Sequence, residues 1–180
     1  MSNQRKVVHD NKKLQFASRY LVYHVRMYVE TLLWLQSNKE KPDGWDGIRN
    51  AIIEAHLVHS RILINFICNE NSQYPTDVLG LDYFHDTSNI FIPLQSEFLK
   101  EQANNIGGQL VHLTTKPMPK LKSEQEWPIK PIANELVPAL KVFFGKVSEI
   151  RFEKDAKFEC LEHLAKLNPP EIFVSLYAST

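Results

Sequence analysis

Cysteine is nearly absent from this chain: Cys68 and Cys160 are its whole complement in 180 residues, and no C-x-x-C spacing occurs. That excludes a disulfide framework and a cysteine zinc cluster, and it favours a reducing, cytoplasmic setting. Glycine is scarce as well, at 6 residues, which disfavours an all-β fold built on many tight turns. Charge of one sign is missing. With 21 Lys+Arg against 21 Asp+Glu, the chain lacks the strong global field that holds bulk duplex nucleic acid or an anionic membrane. Long apolar runs are missing too: the strongest, Ile62 to Cys68, falls well short of the roughly 18 to 20 residues that span a bilayer. The amino terminus has no apolar stretch of the secretory kind, so no export and no membrane partner are expected. Glycine-rich phosphate loops, the G-x-S-x-G elbow and H-E-x-x-H are absent.

What is present is an ordinary globular composition, 43% hydrophobic and 23% charged. The length suits one domain over 1–180, with a core bundle over about 13–148 and a C-terminal helix and docked tail over 149–180. From about Lys13 to Ser37 there is neither Gly nor Pro, and a helical projection gathers Arg19, Arg26 and Glu30 on one narrow side. The rest is largely apolar. Leu14, Leu21, Val25, Tyr28, Leu32 and Leu35 make the main stripe, while Tyr20, Met27 and Trp34 widen it beyond what one core covers. A homodimer through this first helix is therefore expected.

A second helix is predicted from about Asp46 to Cys68, with Asn50, Glu54, Arg61 and Asn65 in one polar sector. The opposite side carries Ile48, Ile52, Ala55, Leu63 and Phe66, together with His56 and His59. A long ordered loop follows, holding Asp77 and Asp82 around an apolar turn; Asp77 is expected to N-cap a short helical turn. The third helix starts with Ser96 as N-cap and runs to about Thr114. Gly107 and Gly108 inside it cost about 1 kcal/mol each relative to Ala, so they either let another backbone come close or mark a bend; close approach is expected. A fourth helix is predicted over Ile132 to Ser148 around Pro138, and a fifth from about Glu153 to Leu167 with Phe158, Leu161, Leu164 and Ala165 inward. The segment Ile172 to Tyr177 is expected to dock as an extended tail. The fold class is all-α, about five helices, with the second helix central.

Three pieces taken together, His59-Ser60-Arg61-Ile62-Leu63-Ile64-Asn65-Phe66, Asp77-Val78-Leu79-Gly80-Leu81-Asp82-Tyr83-Phe84 and Ile106-Gly107-Gly108-Gln109-Leu110-Val111-His112-Leu113-Thr114, resemble a group of bacterial helical proteins related to the HEPN-like bundles. The resemblance covers about Trp45 to Val147. It implies a compact bundle, frequent dimerisation and, in catalytic members, an Arg and a His on one helix acting on RNA. This chain departs from that pattern. An R-x(4-6)-H motif ending at His112 needs Arg at 105, 106 or 107, and those positions hold Asn105, Ile106 and Gly107.

Two functional readings follow. The first is a non-catalytic, degenerate HEPN-like protein acting by association with a second copy or another protein. The second is an RNA-cleaving or nucleotide-acting enzyme using His112 with Arg61, Asn65 or His59. Binding candidates are His56, Asn105, Asp77 and Asp82. Asn105 shares a helical stripe with Glu101, Gln109 and His112, a geometry that suits acid–base work and a solvated face alike. Lysines 116, 120, 122 and 130 beside Trp127 make a basic-plus-aromatic footprint for RNA, diluted by Glu124 and Glu126. His56-x-x-His59 has the spacing of half a metal site, but no Glu-x-x-His partner motif accompanies it. The two rings are read as core histidines, with no metal and no cofactor expected.

Overall fold

In the computed structural model, residues 9–38, 46–84, 92–111 and 127–167 are described. His112, most of the predicted Lys116 to Pro131 connection and the tail Ile172 to Tyr177 lie outside them. The bundle begins at Asp10, whose carboxylate accepts the Lys13 amide at 2.9 Å and caps α1, Asn11–Ser37. This is the usual use of a short acidic side chain, satisfying one of the free amides of the first turn. Helix α2, Asp46–Cys68, packs against α1, α3 and α4 and is central, as its apolar breadth requires.

After α2 the chain crosses a loop anchored by a 3-10 turn, Gly80–Phe84. Asp82 caps this turn, its carboxylate accepting the Leu79 amide at 2.8 Å. Asp77 behaves differently from the expectation. Its carboxylate accepts the amides of Gln73 and Tyr74, at 3.0 and 2.7 Å, so it closes the preceding turn instead of capping a following one. The capping chemistry is the same, but an Asp side chain reaches amides on either side of it.

Helix α3, Glu97–Ile106, is capped by Ser96, whose hydroxyl accepts the Leu99 amide at 3.0 Å. It does not continue as an α-helix through the glycines: Gly107–Val111 forms a π-helical turn. Helix α4, Ile129–Lys146, starts earlier than predicted and runs through Pro138. Pro138 and Asn134, whose carbonyl loses its helical donor, both lie on the exposed side of the helix. Helix α5, Lys154–Ala165, leans on α1 and α4.

Two sequence expectations are corrected by the packing. Phe158 is 49% exposed, and Ala165 is also exposed, because α5 buries the stripe Ala156, Cys160, His163 and Leu164, and Phe158 lies nearly opposite it. Ile48 is exposed because none of the residues 47–55 whose burial is described is buried: the covered stretch of α2 begins at His56. Among the described residues there are five α-helices and no strand.

The dry part of the core is aromatic. Tyr83, Phe143 and Phe152 meet with ring centroids 5.2 to 6.2 Å apart, and Phe66, Phe84 and Phe144 close around Phe143. Polar atoms here are paired. The Tyr83 hydroxyl donates to the Leu14 carbonyl at 3.0 Å, and Arg151 Nη1 donates to the Asp82 carbonyl at 2.8 Å. The length and composition of Gly47–Cys68 are those of a helix able to cross a membrane, yet half of that stretch is buried inside the bundle and it carries Glu54 and Arg61.

Candidate functional site at the α1 and α2 seam

The core is not apolar throughout. Where α1 meets α2, the buried side chains include Thr31, His56, His59 and Ser60. Thr31 and Tyr28 stand opposite His56, and His24 and Tyr23 opposite His59, the order expected of antiparallel neighbours.

His56 is fully buried and stacks on the Tyr28 ring, centroids 4.8 Å apart and planes 25° from parallel. Its Nδ1 lies 3.0 Å from Thr31 Oγ1. Thr31 has one proton, and its shortest contact is to the Met27 carbonyl at 2.7 Å. The hydroxyl therefore donates there and accepts from His56 Nδ1–H. This tautomer leaves His56 Nε2 as a bare lone pair, and that atom has no hydrogen-bond partner. The Tyr28 hydroxyl is likewise buried without a partner. Burial holds the His56 pKa down at about 4, against a smaller opposing effect of the Tyr28 backbone, so the ring is neutral at neutral pH. Burial also pushes the Tyr28 phenol well above its usual range.

His59 meets a partner that the sequence reading did not single out. Its Nδ1 lies 3.0 Å from Nδ1 of His24, the ring centroids 5.2 Å apart, and the Tyr23 ring stands edge-on to both imidazoles at 5.4 Å. Burial lowers both pKa values, with the neighbouring His24 adding to the effect at His59. Two imidazoles at this separation share one proton or hold one cation between them; two imidazoliums would repel strongly. One signal could have found His24. It flanks the core stripe of α1 between Leu21 and Val25, as His56 and His59 flank that of α2.

The other candidates do not join this cluster. Asp77 and Asp82 are held by their own turns, and Asn65 and Asn105 are half-buried on α2 and α3. Arg61 leaves the predicted polar sector and reaches α3. A Cβ at Gly107 would stand 3.0 Å from Arg61 Nε and 3.1 Å from its Cζ, so the guanidinium occupies the space a side chain at 107 would take. Gly107 has ordinary right-handed helical angles, φ −58° and ψ −45°, so what favours glycine there is this contact with the far end of the Arg61 side chain and not its backbone conformation. The expected close approach of another backbone is not found: the neighbour at Gly107 is the Arg61 side chain, and a Cβ at Gly108 would meet nothing within 4 Å. A surface groove of about 360 Å³ between α1 and residues 149–154 is bridged by the Arg19–Glu153 ion pair and contains no histidine or thiol. Among the described residues no group of three or more His, Cys, Asp or Glu is arranged to hold a metal ion.

Fold and site together define an all-α bundle with a histidine-lined seam between its first two helices. No family model matches the chain, and no curated protein and no solved structure is significantly similar to it.

Proposed function

We propose that this protein is an intracellular, non-catalytic helical bundle of degenerate HEPN-like type that works by association, as a homodimer through α1. The observation that carries this reading is the outer face of that helix. Phe16, Tyr20 and Tyr23 are 59%, 59% and 46% exposed, and with half-buried Met27 and Trp34 they repeat at alternating steps of four and three, interrupted only by Glu30. That spacing is the one a helix-pair seam uses, which supports the reading, and it lies nearly opposite the core stripe of Leu14, Leu21, Val25, Tyr28 and Leu32. A helix seam is self-complementary across a two-fold axis, so a second copy is the natural occupant. The free, buried Cys68 and Cys160 support a reducing compartment; burial pushes the Cys68 thiol up to about 11.

Sedimentation equilibrium tests the reading. A dimer is expected at micromolar concentration, and Tyr20→Glu is expected to weaken it by roughly tenfold or more, as for a central aromatic anchor. A 20.9 kDa monomer at high micromolar concentration would overturn it.

A second reading has one observation in its favour. The Arg61 guanidinium reaches Gly107, one of the positions at which the HEPN motif would carry its arginine, so a cation is supplied there from another helix. An RNA-cleaving site of Arg61 with His112 would then stabilise charge developing on a phosphate. The purified protein is nevertheless expected to leave a mixed RNA pool intact. Cleavage lost in His112→Ala and Arg61→Ala but kept in His163→Ala would promote this second reading over the first.

A further inference from the structure

We propose that His24 and His59 form a two-nitrogen chelate for a late first-row divalent metal ion, Cu(II) or Ni(II), bridging α1 to α2. The donor atoms are already in place. The two Nδ1 atoms lie 3.0 Å apart, across a helix pair whose packing fixes both backbones. With metal–nitrogen bonds of about 2.0 to 2.1 Å, nitrogens at that separation subtend about 95° at the metal. That is close to the right angle of tetragonal Cu(II) and Ni(II), and tighter than the tetrahedral angle of Zn(II). The donor set is two neutral imidazoles, and the residues one turn from either ring, such as Tyr20, Met27, Ala55 and Ile62, supply no carboxylate. Hard, oxygen-seeking Mg(II) and Ca(II) therefore have nothing to hold them.

The rings are suited to the exchange. In the metal-free protein one ring's Nδ1–H donates to the other ring's Nδ1, and on binding the metal takes that place while the proton shifts, by exchange with solvent, to the same ring's bare Nε2, so both ligands stay neutral imidazoles. The lowered basicity of both rings reduces competition from protons. Access is from the side of half-buried His24, and Tyr23, itself exposed, covers the pair edge-on, leaving the remaining coordination positions to water or to an incoming ligand. Both ligands belong to one chain, so the chelate does not require the dimer, although Tyr23, which covers the pair, also lies on the α1 seam proposed above.

Titration of the metal-free full-length protein with CuCl2, followed by electron paramagnetic resonance and thermal unfolding, tests it. One Cu(II) per chain is expected, with superhyperfine splitting from two imidazole nitrogens. The melting temperature should rise by roughly 5–10 °C at a hundredfold excess of free metal over Kd. NiCl2 should act similarly, ZnCl2 less, and MgCl2 not at all. His24→Gln, on the more accessible ring, should abolish the two-nitrogen signal and the thermal shift, and His59→Gln should do the same if it folds; His9→Gln should retain both. A two-nitrogen signal that survives in His24→Gln, or no one-to-one binding to the wild-type chain at tens of micromolar metal, would overturn the assignment.

Discussion

The aromatic cluster around Phe143 and the histidine seam between α1 and α2 are both buried, yet they solve burial in opposite ways. Around Phe143 the rings pack edge to face, and the polar atoms that enter, the Tyr83 hydroxyl and the Arg151 guanidinium, bond to backbone carbonyls. Along the seam, His56 Nε2 and the Tyr28 hydroxyl are buried with no partner, and three imidazoles, of His24, His56 and His59, line one helix pair. An unsatisfied buried polar atom costs about 1 to 3 kcal/mol. The cluster is thus optimised for stability, and the seam keeps ionisable groups in the core at a cost in stability. Functional groups are expected where that cost is tolerated.

The largest effect should come from the cluster. Phe143→Ala, removing the ring shared by Phe66, Tyr83, Phe84, Phe144 and Phe152, is expected to destabilise the fold by about 3 to 5 kcal/mol in urea unfolding, nearly independently of pH. A loss below about 1 kcal/mol would mean the cluster is not the stabilising centre.

The seam should answer to pH instead. His56 titrates near 6.5 when unfolded and at about 4 when folded, so the neutral ring is the native form. Its contribution is fully present above pH 6.5 and is lost as the pH falls through 4, a total of about 3 kcal/mol. Urea unfolding of the wild type and His56→Gln across this range should show the variant's stability falling less steeply as the pH drops. Parallel profiles would remove His56 as the source.

A matched pair of hydroxyl deletions gives the smallest and sharpest contrast. Tyr83→Phe removes a buried hydroxyl that donates to the Leu14 carbonyl and should cost about 1 kcal/mol, whereas Tyr28→Phe removes an unpaired hydroxyl and should be neutral or slightly stabilising. Equal losses from the two would erase the distinction between the regions.

Much of this architecture was legible beforehand. The five helices follow from apolar periodicity, Ser96 was recognisable as an N-cap, and His56 and His59 as residues on a buried face. Gly107 suggested close approach of another backbone, and not that the Arg61 side chain would make the contact, because that contact joins residues forty-six positions apart on different helices. The partner of His59 was hidden for the same reason: His24 sits 35 residues away, and nothing in the local pattern of either helix names the other. Asp77 was read as the N-cap of a following helical turn, but its carboxylate accepts the amides of Gln73 and Tyr74 and closes the turn before it, because the short side chain reaches amides on either side.

The amino-acid pattern alone settles which segments are helical, roughly where they begin, and that α1 has more apolar circumference than one core can use. Those properties depend on residues within one or two turns of each other, where spacing along the chain is spacing in space. Which stripe of α1 is covered, why Phe158 faces solvent, and which imidazole meets which are settled only when the helices pack. Helical period is a property of a single element. Burial and pairing depend on how far each helix is rotated and shifted against its neighbours, and the whole core fixes that by filling its volume.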